Sequence, residues 1–189
     1  LESKAITTEN LSKLLDVSIF KDRIDSVPVF RIAPKETKNR GLFVHIHGGA
    51  FTFEGGDMAA AEGAIIASQA NIEVVSIDYR LSPEFPFPAA LEDIFAVYRS
   101  LKQDSPERKI AVGGSSAGGN LSIALIHYLR QKEFPLPTVL YAGTPRTDLT
   151  NQSDSLDILE GIDPRIPSMR QGIIEAAERL YIGGSSRED

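Results

Sequence analysis

Four short apolar runs, set apart by segments of helical period, constrain this chain more than any other feature. The runs are GLFVHIH (41–47), IEVVSIDY (72–79), KIAVGG (109–114) and PTVLYAG (137–143). Most are nearly continuous in apolar residues rather than alternating, which is how strands covered on both faces of a parallel sheet read. Between them lie MAAAEGAIIASQA (58–70), PFPAALEDIFAVYRSLKQ (86–103) and AGGNLSIALIHYLRQ (117–131). In the second of these, Ala90, Leu91, Ile94, Phe95, Tyr98 and Leu101 share one helical face, with Pro88 near the first turn. Strand, helix, strand, helix predicts a doubly wound α/β sheet with right-handed crossovers.

Two β-rich runs, VSIFKD (17–22) and VPVFRIA (27–33), precede this pattern and read as an antiparallel hairpin. Residues 1–15 read as a short amphipathic helix capped by Thr8. The tail differs: 144–167 is polar and turn-rich, and 168–184 reads as a helix ended by glycine. The organisation expected is one domain over 1–189, with 1–15 and 144–184 as cap or lid segments. No fifth buried strand follows the four.

Composition excludes several classes. Apolar residues form 42% of the 189 and charged ones 24%, enough for a packed core. A net charge of −6 argues against nucleic acid or an anionic membrane as partner. The chain has no cysteine, so neither a disulfide framework nor a thiolate zinc site can form. That fits a reducing compartment, and a cytoplasmic location is expected. No apolar run approaches the ~20 residues needed to span a bilayer.

Chemistry concentrates where the third strand meets the third helix. Gly114-Ser115-Ser116-Ala117-Gly118 matches G-x-S-x-G, with strand before and helix after, as that motif requires. A nucleophilic hydroxyl must stand clear of the sheet on a turn so tight that side chains two residues away would collide. Gly114 and Gly118 remove them. Ser116 then lies at a helix N-terminus, whose dipole and free amides favour developing negative charge, and the Ala117 amide is placed to donate to it. The bland alternative is a Gly/Ser turn that merely caps a helix. A phosphate loop is excluded by register, because no lysine follows the glycines and G-x-G-x-x-G is not met.

A second glycine turn, HIHGGAF (45–51), also ends a strand. Successive glycines let backbone amides turn inward as an anion-binding nest. Paired with a serine elbow, that nest is the other half of an oxyanion hole. His47 is expected to hold this loop by hydrogen bonds, and a plain β-turn is the alternative for the glycines.

Three blocks in order, HGGAF (47–51), DYRLSPEFPFPAALED (78–93) and GGSSAGGNL (113–121), carry a family resemblance, and TPRTDLT (144–150) extends it. The chain resembles the hormone-sensitive-lipase-type branch of the α/β-hydrolases, the bacterial esterase and acetyl-hydrolase group. The resemblance implies an α/β-hydrolase fold with a mostly parallel sheet and an antiparallel N-terminal hairpin. It implies Ser116 as nucleophile, an oxyanion hole from the amides of Gly48, Gly49 and Ala117, and hydrolysis of small or short-chain carboxylic esters through an acyl-enzyme. No metal and no cofactor are implied. The partner expected is a small-molecule ester, with a second copy of the chain left open. Asp78, Arg80 and Asp93 are expected to hold loops by ion pairing.

Two positions depart from the family pattern. Ala50 stands where a third glycine is usual, at a cost of ~1–2 kcal/mol if that position needs φ > 0. Ser115 stands where Asp is common, which leaves two adjacent serines. Ser116 is chosen because only it has glycine at both −2 and +2.

The serine lacks an evident base and an orienting carboxylate, which hydrolases supply in the order Ser, Asp or Glu, His. His127 lies eleven residues along the same helix, ~16 Å away at 1.5 Å per residue. His45 and His47 precede the nucleophile. Asp148, Asp154, Asp157 and Asp163 fall in the polar loop, too early in the chain. The expectation is a large piece of a serine carboxylesterase whose last strands, acid and histidine lie elsewhere. The alternatives are a complete, non-catalytic ligand-binding relative and, further off, a serine peptidase of the same superfold.

Overall fold

The computed structural model describes residues 6–37, 41–162, 164, 168 and 171–185 of the 189-residue chain. Helix α1 (Thr8–Leu15) opens it. Its cap is Thr7 rather than Thr8, because Thr7 has the extended backbone a cap requires (φ −126°, ψ 155°) and its hydroxyl accepts the Asn10 amide at 3.2 Å. Thr8 is already helical, and its amide and hydroxyl turn to the Asp57 carboxylate. The hairpin follows as expected, β1 (Val17–Ile24) paired antiparallel with β2 (Val27–Pro34).

Strands β3 (Leu42–Ile46), β4 (Glu73–Ile77), β5 (Ile110–Ser115) and β6 (Val139–Gly143) complete a six-stranded sheet of order β1-β2-β4-β3-β5-β6. β2 meets β4 antiparallel, and β4, β3, β5 and β6 run parallel. The connecting helices are α2 (Ala61–Ala70), entered through a 3-10 turn at Gly56–Ala60, α3 (Ala89–Asp104) and α4 (Ala117–Gln131). Pro88 sits at the cap position just ahead of α3.

Strands β3 and β4 divide their apolar residues between two cores. Val44, Ile46, Val75, Ile77, Ile110 and Val112 pack against α3 and α4. Phe30, Ile32 and Val74 pack, with Phe43, against α2 and Leu11 of α1. This double cover explains why the runs read as continuous rather than alternating. β6 departs from that expectation. It closes the sheet at one edge, and Val139, Leu140 and Tyr141 are exposed.

After β3 the chain passes to α2 on one face; after β5 it passes to α4 on the other. Loops leaving two neighbouring strands therefore diverge, and the crevice between them is where open α/β sheets place ligands. The polar tail contains a short helix, α5 (Asp154–Leu159), with no buried residue. The closing helix, α6 (Gly172–Ile182), buries Ala177, Glu178, Tyr181 and Ile182.

Candidate active site

The crevice is formed by the turn after β5 and the loop after β3. Ser116 is exposed, with φ 57° and ψ −119°. That region of backbone space is one a residue with a side chain occupies at a cost of ~1–3 kcal/mol, and only where its surroundings enforce it. Here the enforcement is visible. A Cβ on Gly114 would stand 1.8 Å from the Ile46 carbonyl oxygen, and one on Gly118 would stand 2.0 Å from the same atom. The two elbow glycines thus let the end of β3 press into the turn. The Ser116 amide donates to Gly143 O at 2.8 Å, and its carbonyl accepts from the Asn120 amide at 3.1 Å.

The helix-cap alternative does not describe this serine. A capping serine has extended backbone and bonds the second or third amide of its helix. Ser116 has positive φ and makes no such bond. Its Cβ instead faces Gly48, lying 3.6 Å from where a Cβ on that glycine would be.

The loop after β3 is wound tightly. Gly49, Ala50 and Phe51 all have positive φ, at 86°, 51° and 63°, so Ala50 does occupy a position that favours glycine. The Gly49 carbonyl turns back to accept the amides of Thr52 and Phe53, at 3.0 and 2.8 Å. Among the described residues, the amides of Gly48, Gly49 and Ala117 donate to no other group.

His47 anchors the loop from beneath. Its ring stacks on Tyr79 with centroids 4.1 Å apart. Its Nδ1 donates to the Gly48 carbonyl at 3.0 Å, since a carbonyl can only accept. Burial, with the nearby His45, pushes its pKa down to about 3, so the ring stays neutral. The Tyr79 hydroxyl bridges the carbonyls of His47 and Gly48 at 3.0 and 3.2 Å. Burial pushes that phenol well above its usual range, which keeps it a donor.

Further supports come from the middle block and the tail. Arg80 holds the nearly buried Asp93 through Nε at 3.0 Å and through its own amide at 2.9 Å, the ion pairing expected. Asp78 acts differently, accepting the Gly56 amide at 2.9 Å. Arg146 donates its amide to the Ser116 carbonyl at 3.3 Å and pairs through Nε with Glu178, which is 1% exposed, at 2.6 Å. Tyr181 of α6 stacks on Phe51 with centroids 3.9 Å apart. The closing helix is therefore fastened to both glycine turns.

The remaining titratable candidates lie apart. His127 is exposed on α4. Asp148 accepts the Thr150 amide at 2.8 Å, and its bonds to Thr150 hold its carboxyl below the usual range. Asp154 and Asp157 are exposed on α5. Asp163 lies outside the described residues. Among the described residues, no histidine bonds the Ser116 hydroxyl. Sequence reasoning passed over Tyr79, although it stands inside a quoted block. It also passed over Glu62, whose signal was its position as the single charge in residues 58–72.

Residues 43–189 match the family model described as alpha/beta hydrolase fold. The chain belongs to that family. Its relatives lie in the hormone-sensitive-lipase-type branch. It is 35% identical over 142 residues to the carboxylic ester hydrolase LipN of Mycobacterium tuberculosis, covering 70% of this chain and 38% of that protein. It is 33% identical over 135 residues to the hormone-sensitive lipase of Mus musculus, covering 69% of this chain and 18% of that one. A crystal structure of an esterase superposes with a TM-score of 0.89 at 41% identity, over 96% of this chain and 56% of its own. The chain thus spans less than two thirds of the length of each of these three proteins. No described helix is long and apolar enough to cross a membrane.

Proposed function

We propose that this chain carries the nucleophilic half of a serine carboxylesterase. Ser116 attacks the ester carbonyl and forms an acyl-enzyme, and the amides of Gly48, Gly49 and Ala117 receive the oxyanion. The observation that supports this best is the state of Ser116: exposed, held at φ 57° without capping its helix, and facing Gly48. Preorganised donors of this kind act where charge develops, and losing one typically costs ~2.7–4 kcal/mol of transition-state stabilisation. The proton acceptor and its carboxylate belong to residues of the full-length protein other than those described. The chain's share of its relatives' length leaves room for them. Helix α6, whose Tyr181 stacks on Phe51, serves as part of a cap, and the substrates are small or short-chain acyl esters.

Hydrolysis of p-nitrophenyl esters of graded acyl length by the full-length protein tests this. Activity should fall by more than ~10³-fold in Ser116→Ala, as expected for loss of a covalent nucleophile. Unchanged turnover in that variant would show that the nucleophile is elsewhere.

A further inference from the structure

Beneath the elbow runs a row of polar side chains that the reaction as proposed does not use. Ser76 of β4 and His45 of β3 are fully buried and stand side by side in register. The Ser76 hydroxyl donates to the Ala59 carbonyl at 2.5 Å. His45 Nδ1 lies 2.6 Å from the Ser76 oxygen, and His45 Nε2 lies 3.1 Å from Glu62 Oε2. The Ser115 hydroxyl donates to the other oxygen, Glu62 Oε1. Gly63 makes this approach possible, because a Cβ there would already stand 3.2 Å from His45 Nδ1. The row therefore ties β4, β3, α2 and the residue before Ser116 into one chain of bonds.

Counting hydrogens constrains its state. Four contacts need four hydrogens. The two hydroxyls supply one each and a neutral imidazole supplies one. Ser76 spends its hydrogen on Ala59, so His45 must donate from Nδ1. The fourth hydrogen lies between His45 Nε2 and Glu62, and an ionised Glu62, which can only accept, takes it from His45. The groups that face His45 are consistent with this: Glu62 from α2, Ser76 from β4, and the neutral His47 two residues along its own strand. Burial raises the Glu62 carboxyl, but the bonds from His45 and Ser115 outweigh it and hold it below its usual range.

We infer that Glu62 is a positioning residue for the elbow: paired with a doubly protonated His45, it clamps Ser115 and so fixes the peptide that carries Ser116. The role rests on Ser116 being the nucleophile, whereas the charged pair does not. Ser115 is thereby assigned a role distinct from its neighbour's, as the hydroxyl through which the clamp acts.

Two measurements on the full-length protein test this separately. The first is ¹⁵N NMR of the His45 ring at neutral pH. The expected spectrum shows both ring nitrogens protonated, and in Glu62→Gln one of them loses its proton, because the new amide donates where the carboxylate accepted. A singly protonated His45 in the native protein overturns the inference. The second is ester kinetics. Glu62→Gln and Ser115→Ala should each lower kcat by about 10- to 100-fold with KM unchanged, the scale of loss that small misplacement of a reacting group produces, and Ser115→Thr should restore it. Unchanged kcat in both variants overturns the positioning role. If the native protein hydrolyses no ester, the reading of Ser116 fails, and the NMR result alone decides the pair.

Discussion

The carbonyl oxygen of Ile46 reaches so close to Gly118 that a Cβ on residue 118 would stand 2.0 Å from it, nearer than any real contact of that kind. The end of one strand is thus keyed into the turn that follows another. Gly118→Ala should destabilise the protein by ~3 kcal/mol or more, the upper range for forcing a methyl into packed structure. Chemical denaturation measures this, and a loss under ~1 kcal/mol would mean that β3 does not press on the elbow.

Ser116 should be a place where function opposes stability. Glycine accepts the backbone angles that serine is forced into there. Ser116→Gly should therefore raise stability by ~1 kcal/mol while removing the hydroxyl. Equal or lower stability in the variant would mean that the turn is relaxed.

The same reasoning applies to Ala50 at φ 51°. Ala50→Gly should stabilise by up to ~1 kcal/mol, since relief of the left-handed strain exceeds the extra entropy lost by glycine. Thermal unfolding of the pair of proteins reads the difference.

Much of this was legible in the residues. The AGGNLSIALIHYLRQ segment forms a helix over the full range its pattern indicates, 117–131, and both glycine turns lie at the ends of neighbouring strands. What escaped was contact between distant residues. Thr7 and Thr8 look alike as caps until the backbone angle of each is known. The exposure of β6 depends on its place at the sheet edge, which its apolar run does not encode. Tyr79 acts on His47 and Gly48 from more than thirty residues away, and Glu62 acts on Ser115 from more than fifty. No local pattern announces such pairs. Spacing names Ser116 rather than Ser115 as the proposed nucleophile, and the two serines have distinct partners.

A buried ion pair helps to hold the tail. Arg146→Ala takes the Arg146 guanidinium away from the Glu178 carboxylate, which is 1% exposed. Breaking such a pair typically costs ~3–5 kcal/mol, whereas replacing both partners by apolar residues is often near neutral. Arg146→Ala should therefore be much less stable than the double variant Arg146→Met, Glu178→Leu. Similar losses in the two would argue against an uncompensated charge as the cause.

His47 predicts a dependence on acid. Its folded pKa of about 3 lies below the ordinary 6.5. Below 6.5 the unfolded chain takes up a proton that the folded one refuses. The stability that neutral His47 contributes is thus complete above 6.5 and is lost as pH falls toward 3, at up to ~1.4 kcal/mol per pH unit. His47→Gln should flatten the fall of stability over that window. Parallel pH profiles for the two proteins would show that His47 can be protonated in place.

The most direct test is covalent labelling. The full-length protein, treated with a fluorophosphonate probe, digested and read by mass spectrometry, should carry a single adduct on Ser116, and Ser116→Ala should carry none. An adduct on Ser115, or no adduct on a folded protein that hydrolyses esters, would contradict the account.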